Sequence, residues 1–453
     1  MAKTKDMTKG NALLGIATFA LPLMIGNVFQ QLYTVVDTMI VGKGIGVDAL
    51  AALGAGDWFN WMFIGLLSGL TQGFSILYSQ LFGAGDYRTL RQGITSGMRA
   101  GAMISIAMAI GIQFLIVPVL RLLQTPDTIL PSAAIYLRIM MGGAPIVMTY
   151  NLESGILRAL GDGRTPLVAM GFASAINIGL DLLFVMVFHW GIPGAAVATL
   201  IAQVCASLYC FVGLRRIPEL VMCREDWERR PDLIKEILRL GLPLALQQIL
   251  ISVGGMIVQQ VVNGCGVLFI AGFTAVNKLY GVLEMAAVSF GYAIMTFTGQ
   301  NLGAGQKQRI LHGIRQGALL SIVTSLVICG LIFLFGVPVL SLFISGTPEE
   351  CEKALEVAWL YLRIMAVTLP TLYVLYSYRS ALQGIGNTKI PLISGAVEFV
   401  MRVGAALLLP RLIGENGVLF AESCAWIGAA VLLFVSWEVT ASKMKREEKL
   451  YLQ

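Results

Sequence analysis

Two groups of short motifs occur twice in this chain, at a nearly constant separation. The segment Gln80–Gly85 returns as Gln300–Gly305, 220 residues later, and Gly161–Pro166 returns as Gly386–Pro391, 225 residues later. One short insertion near residues 347–351 accounts for the change in separation. Self-similarity over half the length indicates a duplicated fold, so the chain is expected to form two related halves.

The composition indicates a membrane protein. Hydrophobic residues make up 57% of the chain and charged residues 13%, whereas roughly a quarter of a soluble domain is charged. Crossing a bilayer takes about 20 apolar residues. Twelve such runs are centred near residues 27, 67, 106, 143, 177, 203, 250, 283, 324, 367, 400 and 428. The sequence therefore predicts an all-α membrane protein with twelve transmembrane helices, and a duplicated membrane fold is typical of transporters.

Lysine and arginine concentrate in alternate connections between the apolar runs, which indicates the topology. By the positive-inside rule these connections and both termini are cytoplasmic. Six spans per half then give the halves the same orientation, as two six-helix bundles related by a pseudo-two-fold along the membrane normal. The net charge of +6 follows from this placement and does not indicate nucleic-acid binding. The basic positions are Lys3, Lys5, Lys9, Arg88, Arg91, Arg99, Arg158, Arg164, Arg215–Arg239, Lys307, Arg309, Arg315, Arg379, Lys389 and Lys443–Lys449.

The longest internal polar stretch, Arg215–Glu236, divides the chain into predicted domains 1–225 and 226–453. Its mixed charge and two prolines predict a cytoplasmic linker with some helix at its end. Trp227 within it is expected to pack on the membrane surface. The chain contains no G-x-x-x-x-G-K-[ST] loop for a nucleotide and no H-E-x-x-H zinc motif. The sequence therefore predicts neither an enzyme nor a metal centre.

Ionisable side chains inside spans of the first half are candidates for function, because each costs at least about 2.5–3.5 kcal/mol near mid-bilayer. Asp37 lies late in the first span, and Asn177 and Asp181 lie four residues apart on one helical face. Thr199 brings a hydroxyl to a similar depth. This oxygen-rich set suits Na⁺ or a shared proton. The alternative is that both carboxylates are hydrated caps near the outer ends of their spans.

The second half carries a different set of charges within its spans. Glu398 and Arg402 have the four-residue spacing of an intrahelical ion pair. Lys278 and Glu284 are six residues apart, so each is expected to have other partners. Glu422 lies in the last span. Polar and thioether side chains in both halves are predicted to line a substrate cavity: Gln30, Tyr33, Met256, Gln259, Tyr280 and Arg402.

Prolines within the spans predict kinks, because proline removes a backbone hydrogen bond. Pro22 and Pro243 lie in the first span of each half, and Pro145 and Pro370 in the fourth. The Gly-Ala-Gly segments beginning at residues 83 and 303 predict tight turns between helices rather than phosphate-binding loops.

Three segments together resemble a known family. They are Val36–Gly42, the pair Asn177 and Asp181, and Leu157–Gly163 with its repeat Leu382–Thr388. Over residues 16–440 the chain is similar to the multidrug and toxic compound extrusion (MATE) transporters, which belong to a larger group that includes lipid-linked oligosaccharide flippases. The resemblance implies two six-helix bundles around a central cavity. It also implies cation-coupled export of amphipathic organic cations by alternating access.

The resemblance also implies roles for particular residues. Asp37, Asn177, Asp181 and Thr199 match the first-half cation site, and the first helix is expected to bend at the hinge Pro22. Some family members use a Glu in the seventh span and an Asp in the tenth. Here those spans offer Gln247 and Gln248, and Tyr373 and Tyr376. Glu284 is the first candidate for an acidic substitute, with Glu398 and Glu422 as further acidic candidates.

The function expected from the sequence is antiport: multidrug efflux driven by Na⁺ or H⁺, by a monomer in the cell membrane. No cofactor besides the coupling ion and no nucleic-acid partner is expected. The alternative is a flippase for lipid-linked oligosaccharide or another lipid. A flippase would require a strongly cationic cavity, to which only Lys278 and Arg402 could contribute.

Overall fold

The computed structural model of the chain describes residues 4–45, 47–123, 125–344 and 347–452. At residues 29, 32–39, 41–44, 47–51, 55 and 448–452 it describes the backbone alone. All regular elements in the described ranges are helical, which confirms the predicted all-α class.

Thirteen α-helices occur in the described ranges, seven before the central linker and six after it. The first group is α1 (Ala12–Gly44), α2 (Val47–Gly83), α3 (Tyr87–Leu122), α4 (Leu130–Gly142), α5 (Ala144–Ala159), α6 (Arg164–Asp181) and α7 (Ile192–Leu214). The second group is α8 (Pro231–Asn263), α9 (Val267–Gly303), α10 (Lys307–Ser341), α11 (Pro348–Gly384), α12 (Lys389–Ile413) and α13 (Ala421–Leu452).

These helices account for the twelve predicted spans. Of the described segments, ten are long and apolar enough to cross a membrane, and the bent pair α4 and α5 adds an eleventh. The remaining predicted span corresponds to α1, in which the apolar segment Ala12–Val28 is described together with its side chains. Each half of the chain thus contributes six spans.

The chain folds as two compact units whose limits differ from a simple cut in the linker. Unit 1 comprises residues 1–7 and 21–245, and unit 2 comprises residues 8–20 and 246–453. One limit lies before α1, between residues 7 and 8. The other two fall inside α1, next to Pro22, and inside α8, two residues after Pro243. The domains 1–225 and 226–453 that the sequence predicts describe how the repeat divides the chain, and they stay a prediction.

The repeated glycine motifs form matching turns. Gly85 and Gly305 both have φ +72°, and Gly161 and Gly386 both have φ +83°. Glycine is favoured there because other residues pay a steric cost at positive φ. After α2 and after α9, the same backbone bond follows, from Ala84 N to the Gln80 carbonyl (2.9 Å) and from Ala304 N to that of Gln300 (3.0 Å). The predicted tight turns are confirmed.

The two fourth spans differ in shape although both contain a proline. In the first half α4 and α5 meet at 45°, with Gly143 between them and Pro145 in the first turn of α5. In the second half α11 continues through Pro370 without a break. Leu200 of α7 packs so closely against Gly143 that a Cβ there would collide with it. The glycine therefore allows α7 to pack closely against the bend.

The linker is held on α3 by ionic and hydrogen bonds. It contains two short 3₁₀ turns, Pro218–Leu220 and Arg224–Trp227, before α8 begins. The Asp226 side chain is 2% exposed and accepts hydrogen bonds from Arg91 Nε and from Cys223 N, both at 2.8 Å. Arg91, expected from the sequence in a loop, lies in the first turns of α3. The predicted helical content of the linker is confirmed.

Replacing Arg91 with Ala is expected to lower the free energy of unfolding by about 3 kcal/mol, because the Asp226 carboxylate stays buried without its cation. Arg88→Ala is the matched control. Arg88 pairs with Glu225 across 3.5 Å, but the two side chains are 67% and 74% exposed, so little stability should be lost. Thermal unfolding of both variants in detergent measures the difference, and equal shifts would contradict a structural role for the Arg91–Asp226 pair.

Candidate functional site

In unit 1 the structure brings together three of the four predicted cation-site residues. Asn177 and Asp181 of α6 are 1% and 0% exposed, and Thr199 lies on the adjacent helix α7. The Asn177 amide donates to Thr199 Oγ1 at 3.4 Å, and that hydroxyl donates to the Ala195 carbonyl at 3.0 Å. Asn177 and Asp181 are one helical turn apart. The result is a buried carboxyl and a buried amide beside a half-buried hydroxyl, on two packed, apolar helices.

The backbone changes its helical geometry next to Asp181. Helix α6 is regular up to this residue and continues as a π-helix over Leu182–Val187, a geometry often found at functional sites. The Phe184 ring stacks on Trp190 at 4.7 Å between centroids, and α7 begins after Gly191 at φ +65°. Asp181 is therefore at the transition between two kinds of helix, a feature that the sequence did not predict.

The fourth predicted residue, Asp37, lies in α1 in the part where only the backbone is described. Its side chain, like that of Tyr33, is outside the described residues, so their roles stay predictions. Pro22 lies within α1 at the limit between the two units, and its role as a hinge also stays a prediction.

The described cluster has the chemistry of a site for a small hard cation or a proton. Carboxylate and amide oxygens are ligands that hard cations prefer. A carboxylate in an apolar environment is costly to keep ionised without compensation, so binding either species to Asp181 offsets part of that cost. The full burial of the Asp181 side chain argues against the alternative of a hydrated cap.

Unit 2 contains a buried network of alternating charges on three helices. Arg379 of α11 pairs with Glu398 of α12, whose neighbour Arg402 pairs with Glu422 of α13 at 2.7 Å. The side chains of Arg379, Glu398 and Arg402 are 5–6% exposed. Arg402 Nη1 also donates to the Ile251 carbonyl of α8 at 3.1 Å. The network thus connects four helices of the unit.

This network corrects two expectations from the sequence. Glu398 and Arg402 do approach each other along α12, but at 3.9 Å, so their closer partners are on other helices. Arg379 was expected in a loop, yet it lies inside α11, which continues to Gly384. The repeat Leu382–Thr388 could have predicted this position, because it marks the turn that follows the helix. Arg379 comes before that turn in the sequence and therefore belongs to the helix.

Glu284 adjoins the four-residue network through its own partner Tyr376, since Arg379 Cζ lies 5.8 Å from the centroid of the Tyr376 ring. Tyr376 of α11 donates its hydroxyl to Glu284 Oε1 at 2.8 Å. One turn earlier on α9, the Tyr280 ring stacks on Trp426 with 5.6 Å between centroids. Lys278 is exposed. A half-buried carboxylate beside two stacked aromatic rings is therefore a feature of unit 2.

The remaining residues predicted to line a cavity are spread over both units. Gln30 is an exposed residue of unit 1, and Met256 is a half-buried residue of unit 2. Gln259 donates its amide to Asn263 Oδ1 at 2.9 Å, within α8. A common substrate cavity for these residues stays a prediction.

One buried carboxylate was missed in the sequence. Glu153 of α5 is 8% exposed, and Ser207 of α7 donates its hydroxyl to Glu153 Oε2 at 2.6 Å. From the sequence, the nearby Arg158 was expected in a loop, five residues after Glu153. The apolar run Ile156–Leu157 that follows it was the signal that the span had not yet ended.

Twelve spans in two units and a buried polar cluster define a polytopic membrane protein of the transporter class. The family model MatE matches residues 22–183 and 243–408, which together exceed half of the chain. The chain therefore belongs to the MATE family, and it is a multi-pass membrane transporter and not an enzyme.

Individual proteins show the same relationship. The probable multidrug resistance protein YpnP of Bacillus subtilis is 31% identical, with 92% of both chains covered. The probable multidrug resistance protein NorM of Thermotoga maritima is 28% identical, over 90% of this chain and 87% of that one. A crystal structure described as MATE in complex with MaL6 is 25% identical, with a TM-score of 0.91 and 98% and 100% coverage. The predicted family and fold class are confirmed.

Proposed function

We propose that this transporter is an antiporter that exports amphipathic organic cations in exchange for Na⁺ or H⁺. The observation that carries the proposal is the cluster of buried Asn177 and Asp181 with half-buried Thr199, in a chain whose relatives are named multidrug resistance proteins. An ionisable side chain within a span is costly and is therefore a candidate for function. Binding of a coupling cation at Asp181 neutralises its charge and lowers that cost.

Coupling requires the ion and the drug to favour opposite conformational states, or to compete for one. When Asp181 binds a cation, its negative charge is neutralised and the helices around it can repack. The hinge is assigned to Pro22, which lacks the backbone N–H of a regular helix, at the limit between the two units. Asp37 is assigned to the same site on the basis of its sequence motif.

The chemistry of unit 2 supports a cationic substrate. Its buried network holds Arg379 and Arg402 against Glu398 and Glu422, so these four charges balance. Glu284 then places a carboxyl group beside the stacked rings of Tyr280 and Trp426. A carboxylate next to aromatic faces suits an amphipathic organic cation, which the rings attract through cation–π interaction.

The alternative function, a flippase for a lipid-linked oligosaccharide, is less well supported. A pyrophosphate-linked substrate requires several cations that are available to bind it. Of the two candidates, Arg402 is buried and ion-paired with Glu422, and Lys278 is an exposed side chain of α9.

We assign the transporter to the cell membrane with both termini in the cytoplasm, because the basic connections concentrate on the side of the termini. We assign it as a monomer, since each chain carries both related halves.

Transport into everted membrane vesicles tests the function. Ethidium accumulation is measured after imposing an Na⁺ gradient, a pH gradient or neither, with vesicles lacking the protein as the control. Accumulation that depends on one gradient is expected and identifies the coupling ion. If neither gradient drives ethidium while labelled lipid-linked oligosaccharide crosses the bilayer, the flippase is correct and the antiporter is rejected.

A further inference from the structure

The Glu153 carboxylate of unit 1 is buried without a cation to balance it. No Lys, Arg or His side chain in the described ranges lies within ion-pair distance of it, and its hydrogen-bond donor is the Ser207 hydroxyl. Burying an ionised carboxylate without a counter-charge is strongly unfavourable. The same carboxyl with a bound proton is neutral and can still accept from Ser207. The environment of Glu153 therefore favours the protonated form.

The groups that face Glu153 are mostly uncharged. Helix α7 presents Ser207 and the Cys210 thiol, and α2 presents the Ser75 hydroxyl next to Gly155. Arg158, one turn further along α5, donates to Ser154 Oγ at 2.7 Å, and Asp162 lies just beyond the end of the helix. Within the described part of the chain, α3, α4 and α6 bring no charged side chain into ion-pair contact with Glu153.

A line of polar side chains on α7 leads from Glu153 to the candidate cation site. Thr199, Gln203 and Ser207 are four residues apart and share one helical face. Thr199 contacts Asn177 at one end, and Ser207 contacts Glu153 at the other. Between them, Gln203 Oε1 is buried and has no hydrogen-bond partner among the described protein atoms. A buried amide oxygen of this kind is a position at which a water molecule gains hydrogen bonds.

The line also has a direction relative to the membrane. Thr199 and Ser207 are eight residues apart, which corresponds to about 12 Å along the helix. Ser207 is the one nearer to the end of α7 that Arg215 follows, which the charge distribution predicts to be cytoplasmic. Glu153 thus lies between the candidate cation site and the predicted cytoplasmic surface.

We propose that Glu153 is a second proton-binding site of unit 1, connected to Asp181 by waters held along Thr199, Gln203 and Ser207. The inference rests on the proposed antiport. In the inward step, a protonated Asp181 carboxyl gives its proton to this water line and returns to carboxylate. The protonated Glu153 carboxyl first releases its proton to cytoplasmic water, and the carboxylate that results accepts one proton from the other end of the line. No other bond changes and charge is conserved at each transfer.

The test uses the full-length protein in liposomes with ethidium export driven by an imposed pH gradient. Glu153→Gln retains the size of the side chain and an acceptor for Ser207, but it cannot exchange a proton. We expect proton-driven export to fall at least about tenfold and its dependence on internal pH to disappear, while the affinity for ethidium, measured by fluorescence polarisation, is unchanged. Glu153→Asp should restore part of the rate. Glu228→Gln, on the exposed linker, is the matched control.

A second pair of variants tests the water line without changing a carboxyl. Gln203→Leu is expected to slow proton-driven export as Glu153→Gln does, and Val204→Leu, on an exposed face of α7, should have no effect. Thermal unfolding in detergent checks that each variant is folded. If Glu153→Gln does not fold, the rate of proton-driven export by Gln203→Leu still tests the proposed water line.

The outcomes separate this inference from the proposed function. Wild-type export that responds to Na⁺ and is indifferent to pH overturns the proton site but leaves antiport intact. The proton site is also rejected if the Glu153→Gln and Gln203→Leu proteins transport ethidium at the wild-type rate with an unchanged pH profile. A wild-type protein that responds to neither gradient rejects the antiport itself, and the proton site with it.

Discussion

Asp181→Asn is expected to give a folded, membrane-inserted protein that no longer couples ethidium export to an ion gradient. Asparagine has nearly the size of aspartate, so the packing around this fully buried position should be preserved. The amide cannot bind a proton at neutral pH and does not supply a negative charge for Na⁺. Coupling free energies of about 1–3 kcal/mol correspond to changes of about 5- to 150-fold. We therefore expect the rate of gradient-driven export to decrease by at least about fivefold.

Two further variants show whether a loss of coupled export is specific to the Asp181 carboxyl. Thr199→Val removes the hydroxyl that accepts from Asn177 and should weaken coupling less than Asp181→Asn, because the carboxyl remains. Ser174→Ala, on α6 two turns before Asp181, removes a hydroxyl that donates to the Met170 carbonyl within the helix and should have little effect. Export by the Asp181→Asn protein at the wild-type rate, with the wild-type response to both gradients, would exclude Asp181 as the coupling site.

The sequence predicted those features that depend on local patterns. Apolar runs of span length predicted the helices, because the bilayer fixes their minimum length. The duplicated glycines predicted turns, which the identical φ values of Gly85 and Gly305 confirm. The four-residue spacing of Asn177 and Asp181 predicted one helical face, and the contact of Asn177 with Thr199 followed from the packing of consecutive spans.

Features that depend on packing between distant segments were not predictable in this way. The charges of Arg379, Glu398 and Glu422 lie on three different helices, so no spacing along the chain relates them. Glu153 was hidden because its partner, Ser207, is 54 residues away. Two of the limits between the units fall inside the continuous helices α1 and α8, where no loop marks them.

The charge network of unit 2 should respond strongly to the loss of one member. Arg402→Leu is expected to lower the free energy of unfolding by about 3–5 kcal/mol, because Glu422 loses its partner at 2.7 Å and Glu398 loses its second cation. Leucine fills part of the space of the arginine stem, so loss of charge should dominate over loss of volume. Thermal unfolding in detergent measures the effect, with Arg363→Leu, an exposed arginine beside the Trp359 ring, as the control.

The double variant Arg402→Leu/Glu422→Leu distinguishes a buried ion pair from a general loss of packing. Removing both charges leaves Arg379 and Glu398 as a balanced pair, and replacing a whole buried pair by apolar residues is often neutral. We therefore expect the double variant to be more stable than Arg402→Leu alone, with a coupling energy above about 1 kcal/mol in the double-mutant cycle. A double variant no more stable than Arg402→Leu would mean that the arginine contributes through packing rather than charge. Retained ethidium export in the stable double variant would in turn place the network in the scaffold of unit 2 and leave Glu284 as its candidate carboxylate for the substrate.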